Sequence, residues 1–463
     1  MCVYVCVRVY YFVVQMNGIG VLFALLTVVV ASTQQQPSPP VYGVSMIVRN
    51  EIKTLPRLLD SLRPYIRHYE VCDTGSTDGT AEWMQRWLEQ QQQGISGRVH
   101  RDPWVHFGAN RNACLLRLQQ HVRENNTGIT HILLPDADFE LVALNETAFR
   151  LRGPQAEYNY IEYTGGASFH SQPLLIGATS LCGYLGRTHE ALVCVDNTRA
   201  YRLLMGQPTH NTQERVLIEA AHYSPASPAS AASGAYADIA FIHRYDGTNR
   251  ADKFARDIVL LRQTLAHDPN NTRALFYLGQ SLENAQRYAD AFDAYALRAA
   301  SKTGDKTELW YSLHRMGACQ LSLGKSIDEA ARYFVDAYNL EPARREPLYP
   351  LTRHYRVAGK YTVAKMYGTE ALRVPFPVFP TRGGGAALFV IEKWLYEWAF
   401  VDEVSICMHA LEDHKGAVRL LQPLLNETKY VLHTLDDGER ARLHRNLDKF
   451  SAAAAAAAAA GVL

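Results

Sequence analysis

Between Val41 and Leu134 short apolar runs alternate with amphipathic stretches of helical period, which narrows the chain to an α/β architecture on a mostly parallel sheet. Val44 to Val48 reads as a buried strand, and Lys53 to Leu62 as a helix with Leu55, Leu58, Leu59 and Leu62 on one face. Tyr69 to Cys72 reads as the next strand. The helix after it carries Trp83, Met84, Trp87 and Leu88, with Thr77 or Asp78 as its expected cap. Arg98 to His100, Ala109 to Val122 and Ile132 to Leu134 extend the pattern by a strand, a helix and a strand.

The last of these strands leads into Asp136-Ala-Asp138, the only Asp-x-Asp in the sequence. Open α/β sheets keep their ligands outside the carboxyl ends of the strands. Two carboxylates there suit Mg²⁺ or Mn²⁺, hard ions that commonly hold substrate phosphates. Read alone, the pair is more simply a solvated acidic turn. Upstream, Asp73 opens the run Asp73-Thr-Gly-Ser-Thr-Asp-Gly-Thr80, in which Gly75 and Gly79 let the backbone close around a ligand. Asp73 can accept hydrogen bonds from that ligand or serve only as a turn residue.

Lys and Arg number 47 against 46 Asp and Glu, so the chain lacks the basic footprint of a nucleic-acid binder. An apolar content of 48% supports packed cores over most of the length. The eight cysteines form no Cys-x-x-Cys. Cys182 and Cys194 pair if the compartment is oxidising and otherwise remain buried thiols.

Val9 to Ala31 carries no charge, Arg8 precedes it, and no further Lys or Arg occurs until Arg49. This reads as a signal-anchor, with the bulk of the chain in the lumen of a secretory compartment, or as a signal peptide cleaved after Val29-Val30-Ala31. A buried hairpin of Val and Tyr is the third reading. Residues 32–40 form a Pro- and Gln-rich stem. Asn-x-Thr sequons at Asn125, Asn145, Asn270 and Asn426 fit a luminal address.

Tyr158 to Tyr163 reads as a strand, Gly165-Gly166 and Gly183 to Gly186 as turns, and Ser224 to Ala235 as a flexible surface insert. After Tyr245 the pattern turns helical and repeats. Ala330, Phe334, Ala337 and Pro342 have the spacing of a tetratricopeptide repeat's second helix. Leu278-Gly279 with Ala291 and Tyr295 fits a copy before them, and Leu348, Leu351, Tyr355, Ala364 and Ala371 fit one after. Ala417 and Leu421 suggest a fourth. The chain is therefore expected to comprise an N-terminal segment (1–31), a stem (32–40), an α/β domain (41–245), a helical repeat domain (246–430) and a tail containing nine consecutive alanines (431–463).

Met46-Ile-Val-Arg-Asn-Glu51, Cys72-Asp-Thr-Gly-Ser-Thr-Asp-Gly-Thr80 and Asp136-Ala-Asp138, in this order, resemble the opening of the family 2 glycosyltransferases of GT-A fold. His243-Arg-Tyr-Asp-Gly247 and Lys253-Phe-Ala-Arg-Asp257, leading into the repeats, resemble the subgroup that joins such a domain to tetratricopeptide repeats. The resemblance implies a nucleotide pocket with Glu51 and Asp73, a ribose contact from Asp136, and a Mn²⁺ or Mg²⁺ ion on Asp138, completed by His243. Thr188-His189-Glu190 stands where the fold keeps an x-Glu-Asp motif. It makes Glu190 the expected base on the acceptor and His189 the runner-up, with the departure from Glu-Asp noted. The implied activity is inverting transfer of a sugar from a nucleotide sugar, a UDP-sugar first, to an acceptor hydroxyl. The repeats would then be a docking surface for a protein or glycan acceptor, or a contact between two copies of the chain. The alternative is a repeat scaffold whose GT-A-like domain no longer turns over. A nucleotidyltransferase using the same metal is a further rival.

Overall fold

The computed structural model describes residues 5–16, 19–30, 38–91, 94–154, 158–165, 168–195, 201, 233–244, 246–247, 252–301, 303–376, 392–426 and 436–459. The chain divides into two units, Met1–Pro39 and Pro40–Leu463. The first is an antiparallel pair of strands, β1 (Val5–Met16) and β2 (Ile19–Val30), with Val5 opposite Val30 and Met16 opposite Ile19. The segment expected as a membrane anchor is thus strand, not helix. Among the described residues no helix is long and apolar enough to cross a membrane. Valine and aromatic residues favour a pleated strand over a helix.

In the second unit an α/β region with a mixed sheet leads into stacked helices. Its strands are β3 (Tyr42–Val48), β4 (Ile66–Asp73), β5 (Ser96–Arg101), β6 (His131–Leu133), β7 (Phe139–Ala143), β8 (Tyr158–Gly165), β9 (Ser168–Gly177), β12 (Ser233–Ala235) and β13 (Ile239–His243). They lie in the order β5-β4-β3-β6-β9-β8-β13-β7, with β12 beside β8. The stretch β5-β4-β3-β6 is parallel throughout, as the alternating pattern predicts, and β9 joins β6 antiparallel. β3 is interior to the sheet and nearly all buried; α3 (Phe107–Asn125) packs on it, while α1 (Leu55–Leu62) packs on β7 and α2 (Thr80–Glu89) on β5. The four leucines expected on one face of α1 are all fully buried, so the helical period located the core face correctly.

Three local expectations change. The N-cap of α2 is Gly79 in the left-handed region (φ 86), while Asp78 Oδ1 accepts the Thr80 N–H at 2.9 Å. The glycines at 183–186 are only partly a turn, because Cys182–Leu185 is a strand (β10) paired with Ala191–Cys194 (β11). A Cys182–Cys194 disulfide closes this hairpin. The insert at 224–235 ends as strand β12 on β8, and its residues 224–232 lie outside the described residues.

The helices are α5 (Lys253–His267), α6 (Thr272–Asn284), α7 (Tyr288–Ala300), α8 (Lys306–Ser322), α9 (Ile327–Leu340), α10 (Leu348–Val357), α11 (Tyr361–Arg373), α12 (Phe400–Ala410), α13 (His414–Asn426) and α14 (Asp437–Ala459), after α4 (Glu146–Leu151) in the α/β region. From α6 to α9, and from α10 to α13, each packs on its successor. The repeat signature is steric. A β-carbon on Gly279 would come within 2.5 Å of the Tyr295 ring, and one on Gly317 within 2.7 Å of the Phe334 ring. The third pair reverses the sizes: the methyl of Thr352 stands where a β-carbon on Gly368 would meet it at 3.2 Å. In the fourth pair Ser405, Ala417 and Leu421 are fully buried. Most of the alanine run continues helix α14, whose Leu443 and Phe450 bury into the cluster around Ala417 and Leu421, so residues 437–459 extend the helical stack.

Candidate active site

β4, β3 and β6 are adjacent and parallel, so their C-terminal ends share one edge of the sheet. The chain steps from β3 to β4 on one side and returns to β6 on the other, which makes the β3/β6 boundary a topological switch point. Crevices at such points are where open α/β sheets bind ligands. Each of the three strands delivers acids to that edge: Glu51 after β3, Asp73 at the end of β4, and Asp136 and Asp138 after β6. The structure therefore gathers residues that the sequence separates by up to the distance from Glu51 to Asp138.

The first two loops are locked to each other. Asn50, itself left-handed at φ 56, receives the Thr77 N–H on Oδ1 at 2.7 Å and donates its own N–H to Ser76 Oγ at 2.8 Å. The Glu51 N–H donates to Thr80 Oγ1 at 2.9 Å, and Thr54 Oγ1 donates to Glu51 Oε2 at 2.7 Å. Asp73 Oδ1 accepts from the N–H groups of Gly75 (2.9 Å) and Ser76 (2.8 Å). Its buried Oδ2 has no hydrogen-bond partner among the described residues. Burying a carboxylate oxygen unsatisfied is costly, so this oxygen suits a donor brought by a ligand.

Asp138 and His243 meet because β7 and β13 pair antiparallel with His243 opposite Phe139. The His243 ring Nε2 lies 2.9 Å from Asp138 Oδ2, and both side chains are largely buried. Arg57 fixes the same corner by a bidentate pair with Asp246, at 2.7 and 2.8 Å. Gly247 faces this corner. A β-carbon there would approach Asp138 Oδ2 at 3.2 Å and Glu51 Oε1 at 3.5 Å, so the missing side chain leaves a cradle between two carboxylates. Among the described residues no three His, Cys, Asp or Glu side chains converge on one point. Asp138 and His243 offer an oxygen and a nitrogen donor, a set that fits Mn²⁺ or Mg²⁺ sharing its remaining positions with water and phosphate oxygens.

Asp136 takes a different partner. Its Oδ1 accepts from Arg111 Nη2 at 2.6 Å, while Arg111 Nε donates to Glu190 Oε1 at 2.6 Å. One guanidinium of α3 therefore spans the first acid of Asp-x-Asp and the expected base. Asp136 is half-buried, with 46% of its side chain exposed. Enclosure there raises its pKa, but Arg111 outweighs that and holds the carboxyl below the usual range. His189, the runner-up base, turns elsewhere: its ring stacks on Tyr277 of α6 at 4.1 Å, and its Nε2 lies 3.6 Å from Asp257 of α5.

The sequence motifs do not include Arg111 or Arg57. Arg57 stands on the exposed side of α1, where a charge carries no signal. At Arg111 the sequence does hold a trace, because Asn110-Arg111-Asn112 interrupts the apolar period of α3. Asn110 and Asn112 are buried there, tying α3 to Val105 and Pro103 and to the backbone of Tyr184.

No family model matches the chain, and no curated protein matches it. Solved structures similar to it include MamA, 15% identical over 39% of this chain and 87% of that one, with a TM-score of 0.30. A tetratricopeptide repeat protein from Parabacteroides merdae is 16% identical over 44% of this chain and 70% of its own (TM-score 0.31). YrrB, described as a TPR protein with an unusual peptide-binding site, is 12% identical over 42% and 84% (TM-score 0.30). The repeat character of the helical region rests on its own small-against-large helix pairs.

Proposed function

We propose that the α/β region is a metal-dependent, inverting glycosyltransferase domain of GT-A type, transferring a sugar from a nucleotide sugar to an acceptor hydroxyl. The observation that carries this reading is the Asp138–His243 pair beside the Gly247 cradle, at the edge where Glu51 and Asp73 also converge. Asp73 would receive a base or ribose donor on its unsatisfied Oδ2. Asp136, with one oxygen on Arg111, would present the other to the ribose. Asp138 and His243 would hold Mn²⁺ or Mg²⁺. The bound ion supplies positive charge against the departing diphosphate. Glu190, held through one oxygen by Arg111, takes the acceptor's proton as the acceptor oxygen bonds to the anomeric carbon and the bond to the diphosphate breaks. The donor is expected to be a UDP-sugar, and the repeats offer a surface for a protein or glycan acceptor or for a second copy.

The test is the full chain with a panel of nucleotide sugars and Mn²⁺, with and without EDTA. Transfer or donor hydrolysis that EDTA and Asp138→Asn abolish supports the reading; no turnover with any donor, or turnover unchanged in Asp138→Asn, overturns it.

A second reading is a repeat scaffold for protein partners with an inactive α/β region. It is favoured by the helical stack itself and by Arg111, which occupies Asp136 and Glu190 together. Calorimetry with UDP and Mn²⁺ separates the two, since an inactive domain that has lost its pocket gives no heat. For location we infer the secretory route: the Cys182–Cys194 disulfide suits an oxidising compartment, and the asparagines of all four sequons are exposed.

A further inference from the structure

The loop that carries Glu190 is held from two sides. On one side lies the start of α3. The Phe107 N–H donates to Arg187 O at 3.0 Å, and Gly108 lies so close that a β-carbon would sit 2.2 Å from Gly186 O. On the other side are the first two helices beyond the α/β region. Thr188 Oγ1 donates to Asp257 Oδ1 at 3.0 Å, and His189 Nε2 lies 3.6 Å from Asp257 Oδ2. The His189 ring lies nearly parallel to the Tyr277 ring, 9° between planes, and Arg273 Nε donates to His189 O at 3.3 Å. Asp257 is 1% exposed and Tyr277 7% exposed, so this contact is a packed joint.

His189 itself is left-handed, with φ 48. A non-glycine residue holds that conformation only where its surroundings over-determine it. The surroundings here come from α5 and α6. Glu190 follows directly, and its carboxylate accepts from Arg111 Nε at 2.6 Å. The helices therefore shape the backbone that aims Glu190.

We infer that Tyr277 is a positioning residue: through its stack on His189 the helical region fixes the Glu190 loop, so the helices complete the active site as well as offering a surface. The inference rests on the glycosyltransferase reading for its kinetic part only.

Full-length Tyr277→Ala and Tyr277→Phe, each checked for a wild-type thermal melt of the α/β core, are compared with wild type by two measurements. The first is amide exchange of residues 186–190. Exchange at least tenfold faster in Tyr277→Ala, with Tyr277→Phe near wild type because the ring is kept, supports the joint; equal exchange in all three proteins overturns it. The second is transfer kinetics with the donor that wild type accepts. A kcat at least tenfold lower in Tyr277→Ala, with UDP·Mn²⁺ affinity within twofold and kcat restored by Phe, supports positioning. An unchanged kcat, or equal losses in Ala and Phe, overturns it. If wild type turns over no donor, the catalytic reading fails while the exchange experiment still decides the joint.

Discussion

His243 Nε2 lies 2.9 Å from Asp138 Oδ2 although 105 positions separate the two residues. The antiparallel register of β7 and β13 closes that gap, and the Arg57–Asp246 pair seals the corner beneath it. A donor pair held at the ends of two paired strands is oriented before any ligand arrives, as a metal site would require.

From this pair we expect His243→Ala to raise the Mn²⁺ concentration needed for half-maximal turnover by roughly 10–100-fold, the usual cost of disturbing a metal environment. Saturating Mn²⁺ should restore part of the rate. Metal titration of donor hydrolysis measures both, and a wild-type titration curve in the variant would rule out a metal role for His243.

Gly108→Ala places a methyl against Gly186 O, where no room exists. Overpacking of this kind costs about 1–3 kcal/mol, and the Glu190 loop is the part able to move. Urea unfolding should show the loss and kcat should fall with it. A variant as stable and as active as wild type would contradict this packing.

Glu308 is 1% exposed beside Arg273 (3.0 Å) and Arg298 (3.9 Å), and burial, only partly offset by Arg273, raises its pKa to about 6. The folded chain then holds this proton more tightly than the unfolded one. Its contribution to stability is complete below pH 4.5 and is lost as the pH rises through about 6. Relative to Glu308→Gln, wild type should lose on the order of 1–2 kcal/mol between pH 4.5 and pH 7. Urea midpoints of the two proteins at both pH values give the difference, and a constant difference would refute the shift.

The Cys182–Cys194 disulfide closes a short hairpin next to Glu190, with a sequence separation of 12. Cys194→Ser or a reductant should cost about 2–3 kcal/mol. Because β11 begins directly after Glu190, turnover should fall too. Free-thiol titration of the denatured, unreduced protein checks the bond itself: all eight cysteines reacting would exclude it.

The α/β alternation, the buried leucine face of α1, the strand leading to Asp136 and the small-against-large spacing of the repeats were legible in the sequence. Each depends on neighbours within one element or one helix pair, where period 2 or period 3.6 dictates which side chains share a face. For the N-terminal segment the sequence favours a signal-anchor or signal peptide and ranks the hairpin of Val and Tyr third, whereas the structure pairs two strands there. An uncharged run has no period that separates the two, although the dipeptide between the strands, Asn17-Gly18, is the pairing that hairpins favour.

Partnerships across the chain belong to tertiary structure alone. The sequence nominated Asp136, Asp138, Glu190, His189 and His243, and its resemblance set His243 with Asp138 on one ion, yet nothing in it assigns Arg111 to Asp136 and Glu190 or His189 to Tyr277. Those pairings follow from strand register, from the return of the chain across β3, and from how closely α5 and α6 approach the Glu190 loop. They are properties of packing between distant elements, which no local pattern of residues encodes.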